Sequence, residues 1–391
     1  MNNFLQEKLS DYAYFLLMFF LPLSLLMGNI FLAILFLSIL VKKRQKGLDK
    51  TVIIALGVFF TFTLVNGLIA TSYSIEQSSY IKILPILLLP FCIATLDKST
   101  RINGFLFLFF GILIIQVNSI IGIVDYYYFT EGKKYALKNY SKVNEILKYE
   151  RPYLGYFSVL NIIISYLFFK RHKKTKLAII IALFSITLII LISARLSIIS
   201  TIIIGLMIVF VELNKTKRII ALSGIVVLLL TFFSTNSSLK QRFLKINNDA
   251  RVVIWKGAIN TFIETDKMIF GSGSQVKTRS KLLEHYKKSE NFDSLDEKKR
   301  FITKNYNTHN QYLNELLRGG FLGLLIFLLP QVLILYSNLK NQENIFGVLL
   351  VVSILCFCLV ENILDRQIGV YLYAIILSLY NVSEKEFKKH D

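Results

Sequence analysis

The chain has 391 residues, of which 54% are hydrophobic and only 18% charged, and its mean hydropathy is +0.56. Soluble domains carry about 25% charged residues, so this composition excludes a water-soluble enzyme as well as disordered, collagen-like and coiled-coil chains. It predicts an all-α polytopic membrane protein. The net charge of +20 must be divided between the two sides of a membrane before it is taken as a sign of nucleic-acid binding.

Apolar runs predict about twelve transmembrane helices, because one span needs ~20 residues. The runs fall at 12–27, 29–41, 51–70, 80–96, 104–124, 153–169, 177–193, 196–211, 219–233, 316–336, 345–360 and 368–381. Gly28-Asn29 between the first two runs predicts a tight turn. No small-residue cleavage site follows the first apolar stretch, so we expect no cleavable signal peptide.

Basic residues predict how these spans are oriented. Loops 42–50, 170–176 and 212–218 and the C-terminal tail are rich in Lys and Arg, whereas segment 71–79 has none. The positive-inside rule therefore predicts cytoplasmic termini. Loop 125–152 carries six basic residues on the outer side and opposes this pattern, but the bias is statistical. The positive charge thus indicates topology rather than nucleic-acid binding.

The spans divide the chain into three regions. The apolar runs predict an N-terminal bundle of about nine spans in residues 1–233, and about three spans followed by a cytoplasmic tail in residues 316–391. Between them, 234–315 is hydrophilic and predicts one large helical loop subdomain on the outer side, since long loops cross a membrane regardless of charge.

Local patterns predict the helices of that subdomain. The cluster Asn247-Asn248-Asp249 is typical of a helix cap and precedes an amphipathic stretch, 250–264. Glycines in 271–274 predict a break, and 277–288 and 294–302 predict two further helices. The apolar positions of the first helix recur at helical spacing, namely Ile254, Ala258 and Phe262.

Arg195 is the one charged residue in the apolar run 177–211. As a single helix this run would be ~53 Å long, well beyond the ~30 Å hydrocarbon core, so it must fold back. Residues 193–197 lie near its middle and predict the outer turn of a helical hairpin. Arg195 at this turn either extends to lipid phosphates or binds an anionic substrate.

His309 lies in a polar stretch, 307–315, directly before a predicted span. An imidazole at this place can take a proton from a sugar hydroxyl, with Asn310 or Glu315 as the group that orients it. The alternative is a hydrogen-bonded structural histidine. The following glycines, Gly319, Gly320 and Gly323, favour close helix packing.

Arg251 and Trp255 lie one turn apart on the first subdomain helix. A guanidinium binds phosphate oxygens in a forked geometry, and an indole stacks on sugar rings or anchors at the membrane interface; a surface arginine and a core tryptophan are the alternative. Arg366, on the last outer loop, is a further substrate-binding candidate, or else pairs with Asp365 or Glu361.

No metal or nucleotide signature accompanies these residues. HExxH, DxD, P-loop and CxxC motifs are absent, and Gly271-Ser272-Gly273 follows no strand, so it is not a dinucleotide fingerprint. A transferase at the outer face, where no free nucleotide sugar exists, would need a donor activated within the membrane. A lipid pyrophosphate supplies its own leaving group, and arginines suit its charge.

These features together resemble the O-antigen ligase/polymerase family, which comprises polytopic glycan transferases of the bacterial envelope. The resemblance covers about 190–370. It rests on the order of the following pieces: Ser193-Ala194-Arg195, Arg251-Val252-Val253-Ile254-Trp255, Gly271-Ser272-Gly273, Thr308-His309-Asn310-Gln311-Tyr312-Leu313-Asn314-Glu315-Leu316, Gly320-Phe321-Leu322-Gly323, Arg366 and Gly369.

The resemblance implies a metal-independent, inverting glycosyltransferase in the bacterial inner membrane, with its active site at the periplasmic face. The donor would be a glycan on undecaprenyl pyrophosphate, held by Arg195 and Arg251, and His309 would activate the acceptor hydroxyl. Trp255, Asn310, Glu315 and Arg366 are the substrate-binding candidates. Membrane lipids are expected partners, and no cofactor and no nucleic acid are expected.

Three other functions stay open at this point. A ligase transfers the glycan to a lipid A-core or similar acceptor, whereas a polymerase transfers it to another lipid-linked repeat unit; the residues do not separate the two, and the short chain favours a ligase. A transporter or flippase would place ionisable residues at mid-membrane in repeat-related positions, and no such repeat is evident. An envelope scaffold is the third alternative.

Overall fold

The protein is described by a computed structural model that covers residues 2–41, 50–126, 146–171, 175–224, 250–289, 292, 294–340 and 345–379. Within these residues all regular structure is helical. The helices are α1 Asn2–Leu23, α2 Leu25–Val41, α3 Lys50–Ala70, α4 Tyr73–Ile83, α5 Pro85–Ala94, α6 Lys98–Asp125, α7 Arg151–Arg171, α8 Thr175–Leu191, α9 Arg195–Glu212, α10 Ala250–Ile263, α11 Gln275–Lys288, α12 Leu295–Lys304, α13 Gln311–Lys340, α14 Ile345–Cys358 and α15 Gln367–Ser378, with a 3₁₀ turn at Ile363–Asp365.

Five helical segments of the described chain are long and apolar enough to cross a membrane, judged by length and composition. They are Lys50–Ala70, Tyr73–Ala94, Lys98–Asp125, Arg195–Glu212 and Gln311–Lys340. Shorter apolar helices are Leu25–Val41, Lys176–Leu191, Ile345–Cys358 and Gln367–Ser378. The predicted all-α class is therefore confirmed for the described residues, whereas a count of twelve spans remains a prediction.

The outer faces of these helices are apolar as well as their inner faces. On α13, Leu325, Val332, Tyr336 and Leu339 are 57–66% exposed and recur at intervals of three, four or seven residues. Soluble proteins rarely expose such a continuous apolar stripe. The stripe fits contact with lipid, where every backbone polar group is already bonded within the helix.

Some predictions fall outside the described residues. These are the end of the ninth predicted run after residue 224, the cap cluster Asn247-Asn248-Asp249, and most of the basic loops and the C-terminal tail.

The predicted turn at Gly28-Asn29 is wrong. Helix α1 ends at Leu23, directly after Pro22, and Gly28 and Asn29 both lie inside α2. Gly28 is buried, and a β-carbon on it would make ordinary van der Waals contact with Leu21 at 3.6 Å. The Asn29 side chain accepts hydrogen bonds from Gln367 (2.8 Å) and Tyr371 (2.6 Å) on α15.

Helix α15, the last helix of the described residues, lies in the core of the bundle. Each residue from Ile368 to Leu377 is buried, and the helix packs against α5. Its Tyr373 hydroxyl accepts a bond from Gln331 of α13 at 2.9 Å. The connection just before α15, residues 359–366, is thereby fixed relative to the bundle.

The predicted helical hairpin at Arg195 is confirmed. Helix α8 ends at Leu191 and α9 begins at Arg195, with Ser193 in a left-handed conformation (φ 53°) between them. The 35-residue apolar run thus folds back where its single charge lies, because neither the guanidinium nor a ~53 Å helix fits in a ~30 Å core.

Helices α10, α11 and α12 form a subdomain with its own apolar core. Ile254, Ala258 and Phe262 are buried on one face of α10, as their spacing predicts, and contact Tyr286 and Phe301 from the other two helices. The Ser274 and Ser294 hydroxyls accept bonds from the first turns of α11 and α12. Burial raises the pKa of the Tyr286 phenol, which keeps this core uncharged.

The subdomain is attached to the end of the bundle where α3 ends and α4 begins. This end is called the site end below. The Glu76 carboxylate of α4 accepts a bond from the Val276 backbone N–H at the start of α11 (2.9 Å). Asn66 of α3 donates to the Phe270 carbonyl at 2.8 Å. A carboxylate is favoured at a helix N-terminus, and this contact ties the subdomain to the bundle.

Loop 268–273 crosses α13 where that helix is broken at Gly320 (φ 66°, ψ −163°). The break frees backbone groups that the loop then satisfies. Phe321 N and Leu322 N donate to the carbonyls of Met268 and Ile269, and two loop N–H groups donate to the Leu317 and Arg318 carbonyls. Glycines are needed here because the backbone segments touch.

Gly320→Ala is expected to lower stability by about 1–3 kcal/mol, because this backbone region is nearly exclusive to glycine and the new β-carbon would collide with the Ile269 carbonyl oxygen. The thermal midpoint in detergent, followed by the fluorescence of Trp255, measures it. Gly205→Ala on α9 is the matched control, since nothing lies within 4 Å of its β-carbon. Equal midpoints for the two variants would contradict the prediction.

Candidate functional site

Arg251 and His309 meet at one carboxylate. The Glu361 Oε1 atom lies 3.8 Å from Arg251 Nη2 and 3.8 Å from His309 Nδ1. The Glu361 side chain is 7% exposed, compared with 33% for Arg251 and 29% for His309. A buried acid therefore sits beneath a guanidinium and an imidazole that both reach the surface.

Three different elements deliver these side chains. Arg251 is on the first turn of α10, His309 is in the connection from α12 to α13, and Glu361 is in the connection from α14 to the 3₁₀ turn. Since α14 and α15 belong to the bundle core, Glu361 is held from the bundle, while Arg251 comes from the subdomain. The site thus lies where the subdomain meets the site end.

His309 has a left-handed backbone conformation (φ 42°), which is uncommon for a residue with a side chain. Neighbouring groups fix it. The Asn307 side chain accepts a bond from His309 N (3.1 Å), and Asn362 Oδ1 accepts bonds from Thr308 Oγ1 (2.8 Å) and Asn310 N (2.7 Å). Strain of this kind persists where the surroundings impose it, often at functional sites.

Asn310 caps helix α13 rather than facing the imidazole. Its Oδ1 accepts a bond from Leu313 N at 3.1 Å, as expected for an N-cap residue, and it is 7% exposed. Any effect of Asn310 on His309 therefore passes through the backbone.

Glu315 does not contact His309, contrary to the expectation that it orients the imidazole. Its two oxygens accept bonds from Gln311 (2.7 Å) and Arg318 (2.6 Å), and it is 1% exposed. Arg318 also reaches Thr63 of α3 (3.3 Å). Glu315 and Arg318 lie three residues apart on α13 and stabilise each other, and Glu361 takes the place beside His309.

Asp365 is a further, largely covered acid of this region (12% exposed), and it joins the subdomain to the 359–366 connection. Its carboxylate accepts bonds from Gln275 (3.1 Å), Arg279 (3.1 Å), Asn307 (3.1 Å) and Asn362 (3.4 Å). Asn307 is the residue whose side chain holds the His309 backbone. Asp365 therefore supports the backbone conformation of His309 indirectly, through Asn307.

Asp365→Asn is expected to lower the thermal midpoint by several degrees, because hydrogen bonds to a charged group contribute about 1.5–3 kcal/mol. In addition, the NH₂ group of the new asparagine would face one of the side chains that now donate to Asp365. Asp296→Asn, at an exposed position in the first turn of α12, is the matched control. Trp255 fluorescence during heating measures both. A midpoint for Asp365→Asn equal to that of Asp296→Asn would contradict the assigned role.

Arg366 pairs with Glu150, not with Asp365 or Glu361. Its Nη2 lies 2.6 Å from Glu150 Oε1, and its guanidinium lies 5.4 Å from the centre of the Tyr153 ring. Partial burial lowers the pKa of Arg366, but the Glu150 carboxylate outweighs it, so the pKa is raised overall. Arg366 is 46% exposed, which leaves it accessible from outside.

Trp255 packs against the subdomain core with part of its surface exposed. This is the packing alternative considered for it. Its position one turn after Arg251 still makes it a neighbour of the site.

Arg195 lies at the same end of the bundle, at the start of α9. The hairpin turn packs on α7, where a β-carbon on Gly155 would collide with Ser197 and Ala194. Tyr153, in the same turn of α7, carries the Arg366 guanidinium on its ring. The structure thus brings Arg251 and His309 to one acid, and it places the hairpin turn before Arg195 against the first turns of α7, the helix whose Tyr153 contacts Arg366.

Sequence reasoning missed Glu361, Asn362 and Asp365 as site residues and considered the two acids as partners of Arg366. The available signal was a cluster of polar residues, 361–367, in the short break between two apolar runs. Within the described ranges, no three His, Cys, Asp or Glu side chains are grouped as metal ligands.

Comparison with known proteins adds one finding. The family model described as O-antigen ligase matches residues 180–328. No curated protein matches the chain. The matched segment begins within α8, ends within α13 and contains Arg195, Arg251 and His309. Residues 180–328, which hold most of the candidate site residues, are thus similar to the O-antigen ligase family.

Proposed function

We propose that the protein transfers a glycan from undecaprenyl pyrophosphate to an acceptor hydroxyl, as an O-antigen ligase-like enzyme at the periplasmic face of the bacterial inner membrane. The observation that carries the proposal is the meeting of Arg251 and His309 at Glu361, within and beside the segment that matches the family.

The two arginines and the imidazole have separate roles in the proposed reaction. The acceptor oxygen forms a bond to the anomeric carbon as the bond from that carbon to the pyrophosphate oxygen breaks, and the electron pair stays on the pyrophosphate. Attack opposite the leaving group inverts the anomeric centre. Arg195 and Arg251 stabilise the charge that builds on the leaving oxygens.

The acceptor proton goes to His309. Nδ1 faces Glu361 at 3.8 Å, which favours the tautomer with its proton on Nδ1 and a lone pair on Nε2. Nε2 is therefore the nitrogen that takes the proton. The donor carries its own leaving group, so the proposal needs no nucleotide and no metal ion.

The periplasmic location of the site is supported by the charge of the loops. The hairpin turn at Arg195, the subdomain and the 359–366 connection belong to the site end, and the basic segments 42–50, 170–176 and 212–218 connect opposite helix ends. By the positive-inside rule, the basic end faces the cytoplasm.

The acceptor distinguishes a ligase from a polymerase, and we propose a lipid A-core or similar acceptor. Gels of surface glycan from a deletion strain separate the two: loss of a ligase leaves the acceptor bare while donor accumulates, and loss of a polymerase leaves one repeat unit attached.

The decisive experiment is transfer by the purified full chain in lipid vesicles. It is supplied with the donor that accumulates in the deletion strain and with the bare acceptor, in the presence of EDTA and without nucleotide or ion gradient. We expect glycosylated acceptor and released undecaprenyl pyrophosphate. Absence of transfer under these conditions, with activity restored only by an ion gradient, would contradict the proposal in favour of transport.

A further inference from the structure

Glu361 is shared between two groups and bonded closely to neither. Both distances from its Oε1 are 3.8 Å, beyond the 2.7–3.2 Å of a normal N–H···O bond. Yet the side chain is only 7% exposed, and burying a charge without close partners costs several kcal/mol. Such a carboxylate gains free energy by closing on one of its two neighbours.

The other acids of the region lack this freedom. Asp365 accepts bonds from four side chains, Glu315 from two, and Glu150 is paired with Arg366. The further ionisable groups near Glu361 are the Tyr153 phenol and the Arg366 guanidinium. Arg366 is already committed to Glu150, so the choice for Glu361 lies between Arg251 and His309.

We propose that Glu361 is a positioning residue that couples binding of the donor pyrophosphate to activation of His309. This inference rests on the proposed function. In the empty site Arg251 and His309 compete for the carboxylate. A pyrophosphate bound to Arg251 offers forked, charge-assisted bonds that the single distant oxygen of Glu361 does not match, and the carboxylate then closes on the Nδ1–H of His309.

Closing on Nδ1–H has two consequences. It holds the imidazole with its Nε2 lone pair available for the acceptor proton, and it stabilises the imidazolium that forms when the proton arrives, as the carboxylate does in hydrolase triads. Acceptor activation therefore follows donor binding. If Glu361 stayed paired with Arg251, its negative charge would lower the affinity of the site for an anionic donor.

The coupling predicts opposite effects on binding and on turnover. In Glu361→Gln, the charge that competes for Arg251 is removed, so the affinity for undecaprenyl pyrophosphate should stay equal or rise several-fold. Turnover should fall by roughly 100-fold, because the imidazolium loses its carboxylate. A residue with a merely structural role would lower both together.

Binding is measured with undecaprenyl pyrophosphate in detergent micelles, using the fluorescence of Trp255, the one tryptophan of the chain, which lies one turn from Arg251. Turnover is measured in the vesicle assay as kcat and as KM for the accumulated donor. Glu361→Gln is expected to lower kcat without raising KM. Glu361→Asp, which keeps the charge on a shorter side chain, should recover part of kcat.

Glu284→Gln is the matched control, since it removes an exposed carboxylate of the same size from α11. If wild type and Glu284→Gln transfer glycan and Glu361→Gln has the same kcat, the coupling is overturned while the proposed function stands. A fall in affinity for undecaprenyl pyrophosphate in both Glu361 variants, parallel to the fall in kcat, also overturns it. Wild type that transfers nothing overturns the proposed function itself.

Discussion

His309→Ala is expected to lower glycan transfer by about 100- to 10,000-fold, the usual contribution of a general base, while the protein still folds and inserts. The imidazole supplies the only nitrogen lone pair that the proposed reaction uses, and its backbone is held by Asn307 and by the Asn362 contacts rather than by its ring. The vesicle assay measures the rate, and the thermal midpoint reports folding.

His285→Ala is the matched control for this prediction. His285 lies on α11 of the same subdomain, against Gly257 of α10, and is expected to retain transfer within a few-fold of wild type. Normal surface glycan in cells that carry His309→Ala would remove His309 from the mechanism.

Arg251→Ala and Arg195→Ala are each expected to lower transfer by roughly 100- to 1000-fold, the usual cost of losing one preorganised donor to developing negative charge. Arg251→Lys should remain well below wild type, because an ammonium cannot make the forked contact of a guanidinium. Arg251→Ala should also lose affinity for undecaprenyl pyrophosphate. Arg300→Ala, at an exposed position on α12, is the matched control.

A double variant separates two roles of Arg251. If the guanidinium served only to neutralise Glu361 at 3.8 Å, then Arg251→Ala combined with Glu361→Gln would recover to the rate of Glu361→Gln alone. We expect no such recovery, because the pyrophosphate charge remains unmatched. Recovery to the level of Glu361→Gln alone would contradict a direct role of Arg251 in donor binding.

The helices and the hairpin could be predicted because their causes are local. An apolar run of given length has one favourable state in lipid, and a charge midway along a run that is too long marks the place where it folds back, as at Arg195. The buried face of α10 follows likewise from the spacing of Ile254, Ala258 and Phe262.

Gly28-Asn29 shows where local reasoning fails. The same residue types that form turns in soluble loops also allow helices to approach closely in membranes, and only the neighbours decide between the two. The α15 side chains bonded to Asn29, those of Gln367 and Tyr371, lie 338 and 342 residues further along the chain, so a local pattern cannot reveal them.

By itself, the sequence determined the membrane class, the helical hairpin, the subdomain helices and the choice of Arg195, Arg251 and His309 as candidates. Only the tertiary structure decided that Glu361, not Glu315, lies beside the imidazole, and that Asp365 holds the surrounding connections. The physical reason is that a glutamate is the same residue in the sequence whether its carboxylate pairs with a neighbour on its own helix or with a cation from another element. Burial removes the water that would otherwise satisfy it, so the packing of α10, α13 and the 359–366 connection selects its partner.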